Sequence, residues 1–489
     1  MITARPGDRT HRDQIAACRC AIRTELRVIG NRRVAEFRIT LGGAYPAGTR
    51  CSPVASDPFG NSADDGGDVV TIPSGPGLPL TPRRRSLVRI ALAVVAVLLG
   101  LYTLIAQILA IVPVGWTQPV LRSAGVQAVI LAIGWNRALI GSWNVVIALV
   151  AVLAAAAAAW GSRSWSARTL TAATGLGLVL ALITSVTLVV SAHSATGKWM
   201  LFGPAAPLLN DAKPPDETVV YATLDGRPMH ADLYLPAAAA NPAPLVVSIH
   251  GGAFIAGSRG PTPYTRWLAD QGYAVLDVDY RLSSTDDLRW NTQDADVGCA
   301  LTWAMAHAQQ YRWDPHRVVT FGGSAGGSLA VNVAYKIANG TLKPSCGTAG
   351  ELPQIRAVIG MYPAVELAGS QSDTGQGAKV GRAYLGGTPA EYPARYAAAD
   401  SPPQIGPHSP PTLLVQGRDD HLVFASRTRQ FADRLTAAGI THRYVEFPFL
   451  DHGYDAKVLN IGAQAGRSVV LDWLRSYDGL PTTVPNGPL

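Results

Sequence analysis

Ser324 lies in the run Gly322-Gly323-Ser324-Ala325-Gly326-Gly327, directly after the β-branched stretch "RVVTF" and before the helix-forming "SLAVNVAYKIA". Four glycines around one hydroxyl are costly in backbone entropy. A loose loop gains nothing from that cost, but a very tight strand-to-helix turn does. A Gly-x-Ser-x-Gly placed there holds its serine at the tip of the turn, exposed for nucleophilic attack. A phosphate-cradling loop is the rival reading, but no Lys-Ser/Thr follows the glycines as such a loop requires.

A serine hydroxyl attacks only when a base takes its proton and an acid orients that base. His452, in "VEFPFLDHGYD", is the candidate base, with Gly453 leaving room beside the ring; His421 and His408 are its rivals. Asp420, in "LLVQGRDDHLV", is the candidate acid. Asp419 competes with it, and Asp451 stands too close to the base in sequence to face it. The order Ser, Asp, His places each group after a predicted strand. Acyl transfer also needs N–H donors for a developing oxyanion. The run "SIHGGAFIAG" offers Gly251 and Gly252, and the amide of Ala325 follows the nucleophile. His250 is expected to hold that loop by hydrogen bonds and to take no part in the chemistry.

The elements that must position these groups follow from the texture between residues 205 and 480. Short β-rich runs, among them "PLVVSIH", "YAVLDVDY", "RVVTFGG", "IRAVIGMYP" and "PTLLVQG", alternate with helical stretches such as "DADVGCALTWAMAHAQQY". That alternation predicts an α/β domain with a mostly parallel sheet. Residues 364–396 are expected to cap the pocket, with Tyr384 and Tyr396 candidates to line it.

From about residue 217 to 475 the chain resembles the α/β-hydrolase superfamily, in its carboxylesterase and hormone-sensitive-lipase-like branch. The resemblance rests on "HGGAF", "DYRL", "WDPHRV", "GGSAGG", "SPPTLLVQGRDD" and "DHGY". It implies an eight-stranded sheet, the triad Ser324, Asp420 and His452, an oxyanion hole from Gly251, Gly252 and Ala325, and no metal or organic cofactor. Ala253 replaces the third glycine of the usual His-Gly-Gly-Gly. The acid motif "GRDDHLV" is similar to the branch holding feruloyl-esterase-like, prenylcysteine-methylesterase-like and formamidase-like enzymes. Ester hydrolysis is the expected reaction. Formamide hydrolysis, acyl transfer and a catalytically silent membrane scaffold are the alternatives.

Charge divides the chain of 489 residues. Residues 1–204 hold 19 Lys/Arg against 8 Asp/Glu, a net of +11, while residues 205–489 hold 22 against 26, a net of −4. No acidic residue lies between Asp68 and Asp211. A slightly acidic catalytic domain argues against nucleic acid as a partner. Residues 1–80, rich in Arg, Gly, Pro and Ser, are expected to be disordered. The region 86–195 carries three apolar runs long enough to cross a bilayer, at about 90–112, 140–160 and 169–192. The stretch 124–135, between Arg122 and Arg137, reads as interfacial or re-entrant. Arg83, Arg84, Arg85, Arg163 and Arg168 fit the cytoplasmic side. Three spans would then carry the catalytic domain across the membrane, the plasma membrane being the expected one. The substrate is expected to be a small-molecule or lipid-like ester. Cys299 and Cys346 can pair only in an oxidising compartment, and the sequence leaves their pairing open.

Overall fold

The computed structural model describes residues 22–29, 32–39, 82–202, 213–237, 242–347, 350–457 and 460–478. Cys18, Cys20 and Cys51 lie outside them. The chain divides into the units Met1–Leu78 and Pro79–Leu489. Within the first, strands β1 (Ile22–Ile29) and β2 (Arg32–Ile39) pair antiparallel, with Ile22 opposite Ile39, Thr24 opposite Phe37 and Leu26 opposite Ala35. This corrects the expectation of disorder for residues 22–29 and 32–39. Ile22, Thr24, Leu26 and Val28 alternate along the first run and Ala35, Phe37 and Ile39 along the second, and only Gly30 and Asn31 separate the runs, a hairpin spacing that the many arginines obscure.

The second unit opens with helices α1 (Pro82–Ile111), α2 (Val114–Leu121), α3 (Ala124–Ile140), α4 (Trp143–Ala159) and α5 (Trp165–Thr196). Two of them, Ser86–Ile111 of α1 and Trp165–Thr196, are each long and apolar enough to cross a membrane. The bent pair α3–α4, at 99°, brings the number to three if it counts as one span. α1, α4 and α5 pack on one another through small residues. Ala96 meets Ala154 and Ala155, a Cβ on Gly100 would lie 2.7 Å from Thr174 Cγ2, and Gly177 sits against Thr103. Small side chains let backbones approach where no hydrophobic force drives helices together. Buried Thr184 donates to Gln107 Oε1 at 2.8 Å across the same bundle. The stretch 124–135 is the body of α3, and its buried face carries Gln127, Ile130, Gly134, Arg137 and Ala138.

The α/β part follows as β3 (Glu217–Leu224), β4 (Arg227–Tyr234), β5 (Ala243–Ile249), α6 (Thr265–Asp270), β6 (Ala274–Val278), α7 (Gln293–Ala306), α8 (Ala308–Tyr311), β7 (Trp313–Gly323) and α9 (Ala325–Ala338). Then come β8 (Ile355–Met361), α10 (Leu367–Asp373), α11 (Gly375–Val380), a π turn over Gly381–Leu385, α12 (Pro393–Ala399), β9 (Thr412–Gly417), α13 (Ala425–Ala437), β10 (His442–Phe447) and α14 (Ile461–Asp478). Eight strands form one sheet in the order β10-β9-β8-β7-β5-β6-β4-β3, antiparallel at β3–β4 and β4–β6 and parallel elsewhere.

Central strands are buried on both faces, which is why they read as unbroken apolar runs rather than alternating ones. In β5, Leu245, Val247 and Ile249 enter one core and Val246 the other; in β9, Leu414 and Leu413 divide in the same way. The second core also takes in Ala138, Leu188, Ala192 and Met200, so the end of α5 packs into the α/β domain. Cys299 and Cys346 form a disulfide.

Candidate active site

The loops after β5, β7, β9 and β10 meet at the carboxyl edge of the sheet, where open α/β sheets bind ligands. Ser324 holds φ 57° and ψ −123°, a strained conformation for a residue with a Cβ. Its amide donates to Met361 O at 2.9 Å, and its carbonyl accepts from Ser328 N and Ala364 N. The turn closes only because Gly326 lies on the end of β5: a Cβ there would stand 2.6 Å from His250 O.

His452 Nε2 lies 2.9 Å from Ser324 Oγ, and Nδ1 lies 2.8 Å from Asp420 Oδ2. Asp420 is fully buried. Its Oδ1 accepts from the amides of Leu422 and Val423, and Oδ2 also accepts from Gln416 Nε2 at 3.0 Å. Gln416 is set in turn by Thr428. The three residues chosen from the sequence thus come together in one hydrogen-bonded line. Asp419 faces elsewhere: its Oδ2 accepts from Phe449 N at 2.7 Å.

The rival histidines do other things. His408 is exposed. His421 is buried, and its Nδ1 meets Asp451 Oδ2 at 2.8 Å, while Asp451 Oδ1 accepts from the amides of His421 and His452. Asp451 therefore ties the acid loop to the histidine loop, a role invisible in sequence because His421 is thirty residues away. Tyr362 packs edge-on against His452 at 4.8 Å between centroids and donates to buried Asp455 at 2.6 Å.

The loop over residues 250–254 lies against the serine turn. Gly251 sits beside Ser324, where a Cβ would lie 2.9 Å from Gly323 O. Its carbonyl faces His250 Nδ1 at 2.7 Å, and the His250 ring stacks on Tyr280 at 4.2 Å. Burial holds His250 below the ordinary histidine pKa, which suits a loop brace. Ala253 and Phe254, at φ 55° and 67°, join Ser324 and Ala325 on the pocket wall, where neither Gly251 nor Gly252 appears. The pocket is an apolar cavity of about 50 Å³, closed by Leu367, Val380 and Leu385 of residues 364–396. Tyr384 lines it and stacks on Phe254 at 4.2 Å; Tyr396 instead bonds Gly387 O and packs in the core.

Burial alone would lower the pKa of His452, but Asp420, with help from Asp451 and Asp455, outweighs it and raises the value above the usual 6.5. A base must be neutral, so activity should fall with decreasing pH along a limb centred above 6.5. A pH–rate profile of kcat/KM checks this. A limb centred below that value would mean that Asp420 does not govern the ring.

This sheet order, with a serine at the turn after β7, an acid after β9 and a histidine after β10, defines an α/β-hydrolase fold. Residues 231–435 match the BD-FAE family within it. Among curated proteins, the chain is 29% identical to esterase LipC of Mycobacterium tuberculosis over 46% of this chain and 56% of that protein. It is 28% identical to the probable carboxylic ester hydrolase LipM of the same organism, over 44% and 50%. The chain thus spans about half the length of these two relatives. Among solved structures, esterase B from Lactobacillus rhamnosis aligns at 23% identity with a TM-score of 0.46, over 55% of this chain and 88% of that one.

Proposed function

We propose that this protein is a membrane-anchored serine hydrolase that cleaves carboxylic esters through an acyl-serine intermediate. The observation that carries this reading is the line from Ser324 Oγ through His452 to Asp420, at 2.9 and 2.8 Å. Ser324 attacks the ester carbonyl as His452 takes its proton, and Asp420 holds the ring tautomer and supports the imidazolium. Backbone N–H groups of the 251–253 loop and of Ala325 receive the oxyanion. The alcohol leaves with the proton from His452, and water then releases the acid by the same route. The names of LipC and LipM agree with this class of reaction.

The cavity restricts the acyl group. About 50 Å³ holds roughly three or four water-sized groups, and no charged side chain lines it. Short neutral acyl chains fit, which narrows the small-molecule or lipid-like ester expected from sequence on its acyl side only.

Membrane placement follows from chain direction. Arg89, Arg163 and Arg168 lie at one end of the α1–α4–α5 bundle, where Arg89 donates to Trp160 O. The other ends of α1 and α5 lead to the hydrolase domain. With arginines inside, the hydrolase domain is extracytoplasmic. The disulfide between Cys299 and Cys346 fits such a compartment.

The test is hydrolysis of p-nitrophenyl esters from acetate to palmitate by the full chain and by Ser324→Ala. Acetate to butyrate should turn over fastest, and Ser324→Ala should lose several orders of magnitude in rate. Undiminished activity in Ser324→Ala would refute the assignment of the nucleophile. A maximum at palmitate would refute the small acyl pocket.

A further inference from the structure

The catalytic loops do not stand on the sheet alone. Helix α3, which belongs to the apolar N-terminal region, lies directly behind them. Fully buried Gln127 donates through Nε2 to His421 O at 2.9 Å, one residue past the catalytic acid. Its Oε1 accepts from Gln376 N at 2.9 Å, in α11 of the cap. One side chain therefore bridges the acid loop and the lid of the pocket. Seven residues on, on the same face, a Cβ on Gly134 would overlap Asp451 Oδ2. Trp135 Nε1 donates to Gly453 O at 3.2 Å, just after the catalytic histidine. Ile130 and Leu121 complete the contact by packing on Phe424.

We propose that α3 is a wall of the catalytic centre, with Gln127 and Asp451 as positioning residues for Ser324, His452 and Asp420. This rests on the hydrolase reading above. Asp451 is the joint. Its carboxylate holds the amides of His421 and His452 and the His421 ring, and α3 closes over it at Gly134 with no room for a methyl group. Push Asp451 aside and the amide of His452 follows, which moves Nε2 away from Ser324. A displacement of about 1 Å at a reacting group can cost about 100-fold in rate. The polar residues on this face make sense on the same account. Gln127 in a span facing lipid would carry unmet hydrogen bonds, whereas here both ends of its amide are satisfied by the hydrolase domain.

The experiment compares two identical substitutions on one helix, in the full chain reconstituted in phospholipid vesicles with p-nitrophenyl acetate as substrate. Gly134→Ala meets Asp451, while a Cβ on Gly125 meets nothing within 4 Å. Titration with a fluorophosphonate counts the reactive serines, so turnover is expressed per folded site. Gly134→Ala should lower kcat per site about 10- to 100-fold with KM little changed, and Gly125→Ala should match wild type. A purely structural role would reduce the number of titratable sites and leave turnover per site intact; that result overturns the proposal.

If Gly134→Ala yields no folded protein, the Gln127 pair decides. Gln127→Glu keeps the acceptor for Gln376 N but loses the donor to His421 O, and Gln127→Ala loses both. Turnover should fall in that order. Wild-type turnover per site in both would overturn the proposal. Ser324→Ala run alongside separates the two failures. If it is dead while the α3 variants are unimpaired, only this inference falls; if it stays active, the hydrolase reading falls first and this one with it.

Discussion

Asp420→Asn should lower kcat by about three to four orders of magnitude, while Asp419→Asn keeps it within about tenfold of wild type. The two neighbours differ in what their oxygens must accept. Asp420 is surrounded by donors: two amides on Oδ1, and Gln416 Nε2 and His452 Nδ1 on Oδ2. An asparagine there must turn its NH₂ toward donors on one side or the other. Turned toward His452, it demands an acceptor at Nδ1 and so places the ring proton on Nε2, where it blocks transfer from Ser324. Turned the other way, it leaves two backbone amides facing a donor. Asp419 has a lighter duty, since Oδ2 accepts from Phe449 N, and an asparagine oxygen can do the same. Steady-state kinetics on both variants, normalised by active-site titration, separate the cases. Equal losses would mean that the acid loop tolerates neither change and that the assignment to Asp420 is undecided by charge.

The adjacency of these two aspartates shows where sequence reading reached and where it stopped. The elbow was legible because four glycines cluster around one serine between a strand and a helix, and the backbone turns there too tightly for a side chain at Gly322 or Gly326. The sheet was legible because parallel strands buried on both faces read as continuous Val, Ile and Leu. The order Ser, Asp, His then brought three distant loops to one edge. Contacts between loops were not legible. That His421 pairs with Asp451 depends on where two turns meet in space, and neither segment by itself says that they do.

Helix α3 is legible in its composition but not in its partner. Its composition is that of a membrane segment, and reading 124–135 as interfacial or re-entrant follows from average hydropathy. The signal lay in position. Gln127, Gly134 and Arg137 recur at helical spacing with Ile130 and Ala138 on the buried face. A polar stripe on an apolar helix needs a protein partner, and here the partner is the catalytic domain. The hairpin β1–β2 was missed for the opposite reason: its two-residue period was present, but arginine content dominated the impression.

The loop over residues 251–253, proposed above to receive the oxyanion, carries the second large effect. Gly252→Ala should cut kcat by about 100- to 1,000-fold while leaving the serine titratable, because the loop that presents its amides must move. Gly252 has φ +125°, outside the range of ordinary side-chain-bearing residues, and a Cβ there would overlap Ala256 O within the turn. That turn is closed by Ile255 N and Ala256 N on Gly252 O, and it is anchored beyond by Ser283 N and Gln293 Nε2 on Phe254 O. With both sides fixed, the strain falls on residues 252 and 253 beside Ser324. The reciprocal change runs the other way. Ala253 already holds φ 55°, a conformation that costs a residue with a Cβ about 1–2 kcal/mol. Ala253→Gly removes that strain and adds freedom to the unfolded chain, for a net stabilisation of about 0.5 kcal/mol. Thermal unfolding of the two variants beside their turnover numbers tests the pair. If Gly252→Ala keeps full turnover, the 251–253 loop does not hold the oxyanion, and the donors must be sought at the amide of Ala325 and outside this loop.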